Sequence, residues 1–205
     1  MESYEYVFTA LRGRQASREY YVAMCPLKLV PKIFLFQEEE IPAELRSQRT
    51  LNKARVPEIT NYILNNRTEY IFSSITASVD GDLKFEPFNL NGEATDDVGK
   101  LRVSMGSRFI INDGQHRRAA IEQALADCPD IGDETISVVF FVDIGLKKTQ
   151  QMFADLNKHS VRPTRSLGIL YDHRDPLSIL SRNIVEKISV FQRLTEMEKT
   201  NISNR

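Results

Sequence analysis

Residues 107–127 read SRFIINDGQHRRAAIEQALAD. A short β-forming run, SRFIIN (107–112), gives way within one residue to DGQHRRAAIEQALAD (113–127), whose apolar positions Ala120, Ile121, Ala124 and Leu125 fall on one helical face. A strand that turns straight into a helix has a chemical consequence. The first four backbone N–H groups of a helix lack intrahelical partners and carry the positive end of the macrodipole, so such a turn is a ready anion site. Gly114 permits close approach of the backbone, and Arg117 can offer a bidentate guanidinium to phosphate. Gln115 and His116 add hydrogen-bond donors, while Asp113 can cap the helix or help hold a metal. On the residues alone a plainer reading stands on equal footing, with Asp113 as an N-cap and Arg117 and Arg118 solvated. Asp-Gly before a helix is common, and one glycine falls short of a P-loop.

Working outward toward the N-terminus, YEYVFT (4–9) and EYYVAM (19–24) read as strands, and ALRGRQASR between them as the exposed connection of a hairpin. That connection carries Arg12, Arg14 and Arg18, either a solvated loop or a finger that contacts DNA phosphates. Pro26 and Pro31 bracket the approach to KIFLF (32–36), a candidate buried strand, and an acidic run, Glu38 to Glu40, follows. Between Pro42 and Asn65 the apolar spacing suits helical segments, with Pro57 at a helix start. FSSITASV (72–79) and LKFEPF (83–88) look like two strands around an Asp80-Gly81 turn, with Pro87 confining the second to a sheet edge or to its own end. Residues 89–99 are a polar loop on this reading. ISVVFFVDI (136–144) is a near-continuous β-run of the kind covered on both faces.

After Gly145 the pattern becomes helical: KKTQQMFADLNK, PTRSLGILYD and PLSILSRNIVEKISVFQRLTEME. The last of these presents Leu177, Leu180, Ile184, Ile188 and Phe191 on one face, suited either to packing on its own domain or to a homo-oligomer seam. With no repeat and no linker, the economical architecture is an α+β domain over 1–145 followed by a helical subdomain over 146–205.

Composition narrows the partners. The 205 residues carry 27 Lys and Arg against 28 Asp and Glu, so any polyanion must be held by local patches. Three suggest themselves: Arg12, Arg14 and Arg18; Lys158, Arg162, Arg165 and Arg174; and Arg46, Arg49 and Arg55, which the neighbouring glutamates offset. No segment reads securely as a helix-turn-helix. Cys25 and Cys128 are far apart and outside any CxxC spacing, which argues against a zinc site or disulfide framework and for a reducing, cytoplasmic setting. Neither a signal peptide nor an apolar run of about 18 residues is apparent, so no membrane association is expected. His116, His159 and His173 lack ligand spacing, so no protein-held metal is expected; Mg²⁺ carried by nucleotide phosphates needs few protein ligands.

DGQHR followed by an amphipathic helix resembles the signature of the DGQHR-domain family, that of DndB from the bacterial DNA phosphorothioate-modification (Dnd) systems. QQMFADLNKHSVRPTRSLGILYD (150–172) and REYYVAMCPLKL (18–29) are similar to the same family, so the resemblance covers essentially the whole chain. It implies a ParB/sulfiredoxin-like mixed sheet domain in which Asp113, Gly114, Gln115, His116 and Arg117 bind nucleotide phosphates. It implies a second nucleotide-contacting motif at Asn157, with His159 and Arg162 as neighbours able to reach phosphate. The implied function is a DNA-binding repressor of the modification genes, modulated by ATP with or without Mg²⁺, with operator DNA and other Dnd proteins as partners. DNA contacts are expected from Arg12, Arg14, Arg18, Lys158 and Arg165. Sulfiredoxin chemistry is not expected, because Gln115 stands where the catalytic cysteine belongs. The rival from the enzyme class is a nucleotide hydrolase or DNA-processing nuclease on the same fold. ATP turnover, if His116 or Asp113 orients a water, is expected to be slow and switch-like.

Overall fold

The computed structural model describes residues 4–34, 52, 54–90, 92–142, 151–152, 154–156 and 164–195. Seven strands form one mixed sheet: β1 (Glu5–Gln15), β2 (Arg18–Pro26), β3 (Ile75–Asp80), β4 (Leu83–Leu90), β5 (Glu93–Ser104), β6 (Arg108–Asp113) and β7 (Thr135–Val142). Their order is β4-β5-β1-β2-β7-β3-β6, antiparallel throughout except for the parallel β3–β7 pair. Helices α1 (Val30–Ile33), α2 (Arg55–Asn65) and α3 (Gln115–Asp127) accompany the sheet, and α4 (Arg165–Tyr171), α5 (Pro176–Lys187) and α6 (Ser189–Leu194) follow. The class is α+β, as the sequence pattern predicts. The chain divides into two compact units, Met1–Lys158 and His159–Arg205. The boundary expected at 145 falls outside the described residues.

Alternation along the strands builds the core. Phe8 and Ala10 of β1, Tyr21, Ala23 and Cys25 of β2, Leu101 and Val103 of β5, and Ile136, Val138 and Phe140 of β7 are buried together with Ile63 of α2 and Ala120, Ile121 and Ala124 of α3. Phe34, Phe109 and Phe140 pack ring against ring at centroid distances of 5.8 to 6.4 Å. Each such side chain contributes about 2–3 kcal/mol through the apolar surface it removes from water. β3 is buried on both faces: Ile75, Ala77 and Val79 enter the core, whereas Thr76 and Ser78 are buried on the other side.

Several expectations are corrected. ALRGRQASR is not a loop: β1 and β2 pair as far as Gln15 and Arg18, and only Ala16 and Ser17, both at positive φ, make the turn. The pairing of long strands on either side imposes the I′-like geometry despite the lack of glycine. KIFLF does not begin as a strand; Leu27–Leu29 form a 3-10 turn and Val30–Ile33 a helical one, because Pro31 pre-sets the helical φ at its start. Residues 89–99 are largely strand, and β3 and β4 lie far apart in the sheet instead of forming a hairpin. β7 is covered mainly on one side, with Val139 and Phe141 half-buried. The long C-terminal helix breaks at Ile188, whose backbone is extended. Along it Leu177, Leu180, Ile184, Ile188 and Phe191 are exposed. Among the described residues no helix is long and apolar enough to cross a membrane.

Candidate nucleotide site at the strand-to-helix turn

β6 and α3 meet as the sequence predicts, and the junction has three structural devices. The first is a β-bulge. Ala77 faces Ile111 and Thr76 faces Asp113, so Asn112 is the extra residue, fully buried, with its Nδ2 donating to Ser78 Oγ at 2.7 Å. A bulge re-aims the chain that follows it.

The second device is Gly114. Its φ of +104° is one that L side chains rarely adopt, and a Cβ there would lie 3.0 Å from Ile75 Cγ1. Gly114 is also the N-cap of α3, and no side chain caps the helix. Asp113 therefore does not serve as the N-cap expected of it. Its carboxylate turns to Arg117 instead, 2.7 Å from Nη2.

The third device is that pair of arginines. Arg117 donates from Nη1 to Ser73 Oγ (2.7 Å) and from Nη2 to the Ser74 carbonyl (2.9 Å) as well as to Asp113, and its side chain is only 19% exposed. It staples the turn to the segment entering β3. Arg118, at 7% exposure, donates to the carbonyls of Phe34 (2.8 Å) and Pro31 (3.2 Å) and pairs with Glu122. It thereby closes the C-terminus of α1, where helix carbonyls lack partners. Neither arginine is solvated.

His116 is partly buried. Its Nε2 accepts the Asn52 backbone N–H at 3.0 Å, which requires an unprotonated nitrogen. Burial first, then the cations Arg55 and Arg117, hold its pKa below the ordinary 6.5, against a smaller opposing effect of Asp113. The Gln115 side chain is buried at 9% exposure and forms part of the packing of α3. The turn thus offers an uncapped helix N-terminus at a glycine packed beneath Ile75 and Arg117, with a neutral imidazole beside it. Asn52, Arg55 and Ser73 reach this place from up to 64 residues away. No local sequence signal marks them; Arg55 in particular is grouped by sequence with Arg46 and Arg49.

The remaining expected positions are scattered. Asn157, Lys158, His159 and Arg162 lie outside the described residues. Arg165 opens α4 just after Thr164, whose hydroxyl caps that helix by accepting from Leu167 N. Arg12, Arg14 and Arg18 do not form one patch, because strand alternation puts the first two on the face of Ala10 and Tyr21 and the third on the opposite face. Arg12 lies 4.9 Å over the Phe85 ring, and Arg14 stands 3.5 Å from Glu19. Among the described residues no three His, Cys, Asp or Glu side chains converge as metal ligands. Burial pushes the Cys25 thiol up to about 12, which makes it an inert core group.

Sequence comparison bears on what this turn serves. A family model described as DndB, DNA-sulfur modification-associated, matches residues 8–205. No curated protein and no solved structure matches the chain.

Proposed function

The chain belongs to the DNA-sulfur modification-associated DndB family, and from that membership we propose that it is a DNA-binding regulator of the modification genes whose affinity for operator DNA is set by ATP bound at the Gly114 turn. The observation that carries this reading is the left-handed, side-chain-free Gly114 at the uncapped start of the 13-residue helix α3. The helix N-terminus and its dipole favour an anion there, and Gly114 lets the chain turn from β6 into α3 beneath Ile75 and Arg117. Arg117 acts in this reading mainly as the brace that fixes the turn. The neutral His116 and the Arg55 guanidinium supply the polar and cationic surroundings.

The DNA contacts belong to cations outside the turn, with Arg14, Arg18 and Arg165 the exposed members of the expected set among the described residues. ATP can act on DNA affinity only by binding the DNA-free and DNA-bound conformations unequally. The test is a fluorescence-anisotropy titration of a duplex from upstream of the modification genes, with and without ATP, on wild type and Arg117→Ala. ATP is expected to shift the wild-type curve and to lose that effect in the variant. Equal shifts in both would remove the turn from the proposal, and no DNA binding at all would remove the regulator.

A further inference from the structure

β1 and β5 part company before β1 ends. Their ladder runs from Glu5 opposite Ser104 to Leu11 opposite Val98, yet β1 continues against β2 to Gln15 opposite Arg18. Beyond Leu11 the other side of β1 faces a fork. The cause of the divergence lies in β5. Gly99 passes so close to β4 that a Cβ would meet the Glu86 carbonyl oxygen at 2.3 Å, and from there Thr95–Val98 bulge against a single residue of β4, Phe88. The Thr95 hydroxyl closes the bulge, 2.6 Å from the Val98 carbonyl oxygen and 3.0 Å from that of Phe88. Asp96 and Asp97 stand exposed at its apex.

The fork contains a cleft of about 700 Å³ lined by Arg12, Gly13, Arg14, Glu19, Asp96 and Asp97 together with Leu11. The backbone phase of β1 follows from the hairpin. In a two-residue hairpin the closing pair exchanges both hydrogen bonds, and residues then alternate between the two sides. Gln15, Gly13 and Leu11 consequently spend their N–H and C=O groups on β2; the Arg12 N–H closes the last pair, Leu11–Val98, on the Asp97 carbonyl, and the Arg12 carbonyl and both groups of Arg14 face the fork. An open strand edge of this kind is a template for another strand. One extended residue takes up about 3.3 by 4.8 by 10 Å, so the cleft has room for about four.

Charge decides between a peptide and a polyanion. Three carboxylates face two guanidiniums, of which Arg14 is matched by Glu19 and Arg12 is stacked on Phe85. One negative charge is in excess, and Asp96 and Asp97, exposed and without an ion pair among the described residues, repel phosphate and attract a cation.

We propose that the β1–β5 fork binds an extended segment of a partner protein by strand addition along Arg12–Arg14, with a lysine or arginine of that segment held between Asp96 and Asp97. Backbone pairing supplies the register and the carboxylates supply the selectivity. This site is independent of the nucleotide turn.

The probe is a fluorescein-labelled octapeptide alternating lysine with threonine and valine, titrated against the full chain. It is expected to saturate and to slow hydrogen exchange at the fork-facing amides, chiefly that of Arg14. N-methylation of alternate peptide residues should abolish binding to the wild-type protein, and replacing its lysines by glutamates should weaken it at least tenfold. The double variant Asp96→Lys, Asp97→Lys should lose at least tenfold for the lysine peptide and recover the glutamate one. Absence of saturable binding, binding indifferent to N-methylation, or protection of the same amides by an oligonucleotide instead would each overturn the proposal.

Discussion

The Gly114 turn and the β1–β2 hairpin both carry closely spaced arginines, and the protein treats them in opposite ways. At the turn Arg117 and Arg118 point inward and are used up on Ser73, Ser74, Pro31 and Phe34, so that Asp113 and the half-buried His116 are what the turn presents to solvent. At the hairpin Arg12 lies over the Phe85 ring, Arg14 stands beside Glu19, and alternation divides both from the exposed Arg18. The difference teaches that an arginine near a turn is a ligand group only if no distant carbonyl has claimed it.

The contrast breaks most visibly at Arg118. Arg118→Ala leaves the Pro31 and Phe34 carbonyls without donors in a buried place, so about 3 kcal/mol of stability should be lost in urea denaturation. A loss under 1 kcal/mol would mean that the residue is as dispensable as those of the hairpin. Gly114→Ala comes next. Its strained φ and the 3.0 Å approach to Ile75 predict about 2 kcal/mol, together with weaker binding of ATP in calorimetry.

Acidification probes the same turn from a different side. Because the folded pKa of His116 lies below 6.5, the unfolded chain takes up the proton first. Stability is therefore complete above pH 6.5 and falls as the pH drops toward the folded value. His116→Gln should flatten that slope in thermal melts recorded between pH 7 and 5. The smallest effect belongs to the hairpin: Arg18→Ala should change stability by less than about 0.5 kcal/mol, since its side chain is exposed on a strand with no ion pair of its own among the described residues. A duplex titration of Arg18→Ala with reduced salt dependence would show that this residue meets phosphate.

Much of the architecture can be read directly from residue patterns. The abrupt change of period at Asp113 places β6 before α3, and Pro87 marks β4 as an edge strand, which it is. Local patterns fail where pairing supplies the stability. ALRGRQASR and NLNGEATDDVG look polar and loop-like, but most of the first and both ends of the second are held in strands by the ladders beside them. The reverse holds for the start of KIFLF, whose apolar content suits a strand while the preceding Pro31 sets the opposite course.

Composition and spacing by themselves determined the α+β class and the strand-to-helix turn, since each depends on neighbours within a few residues. The strand order, the internal use of Arg117 and Arg118, the arrival of Asn52 and Arg55 at His116 and the fork between β1 and β5 were decided only by the tertiary structure. These depend on groups brought together across tens of residues, and a hydrogen bond between such groups leaves no periodic trace in the chain that makes it.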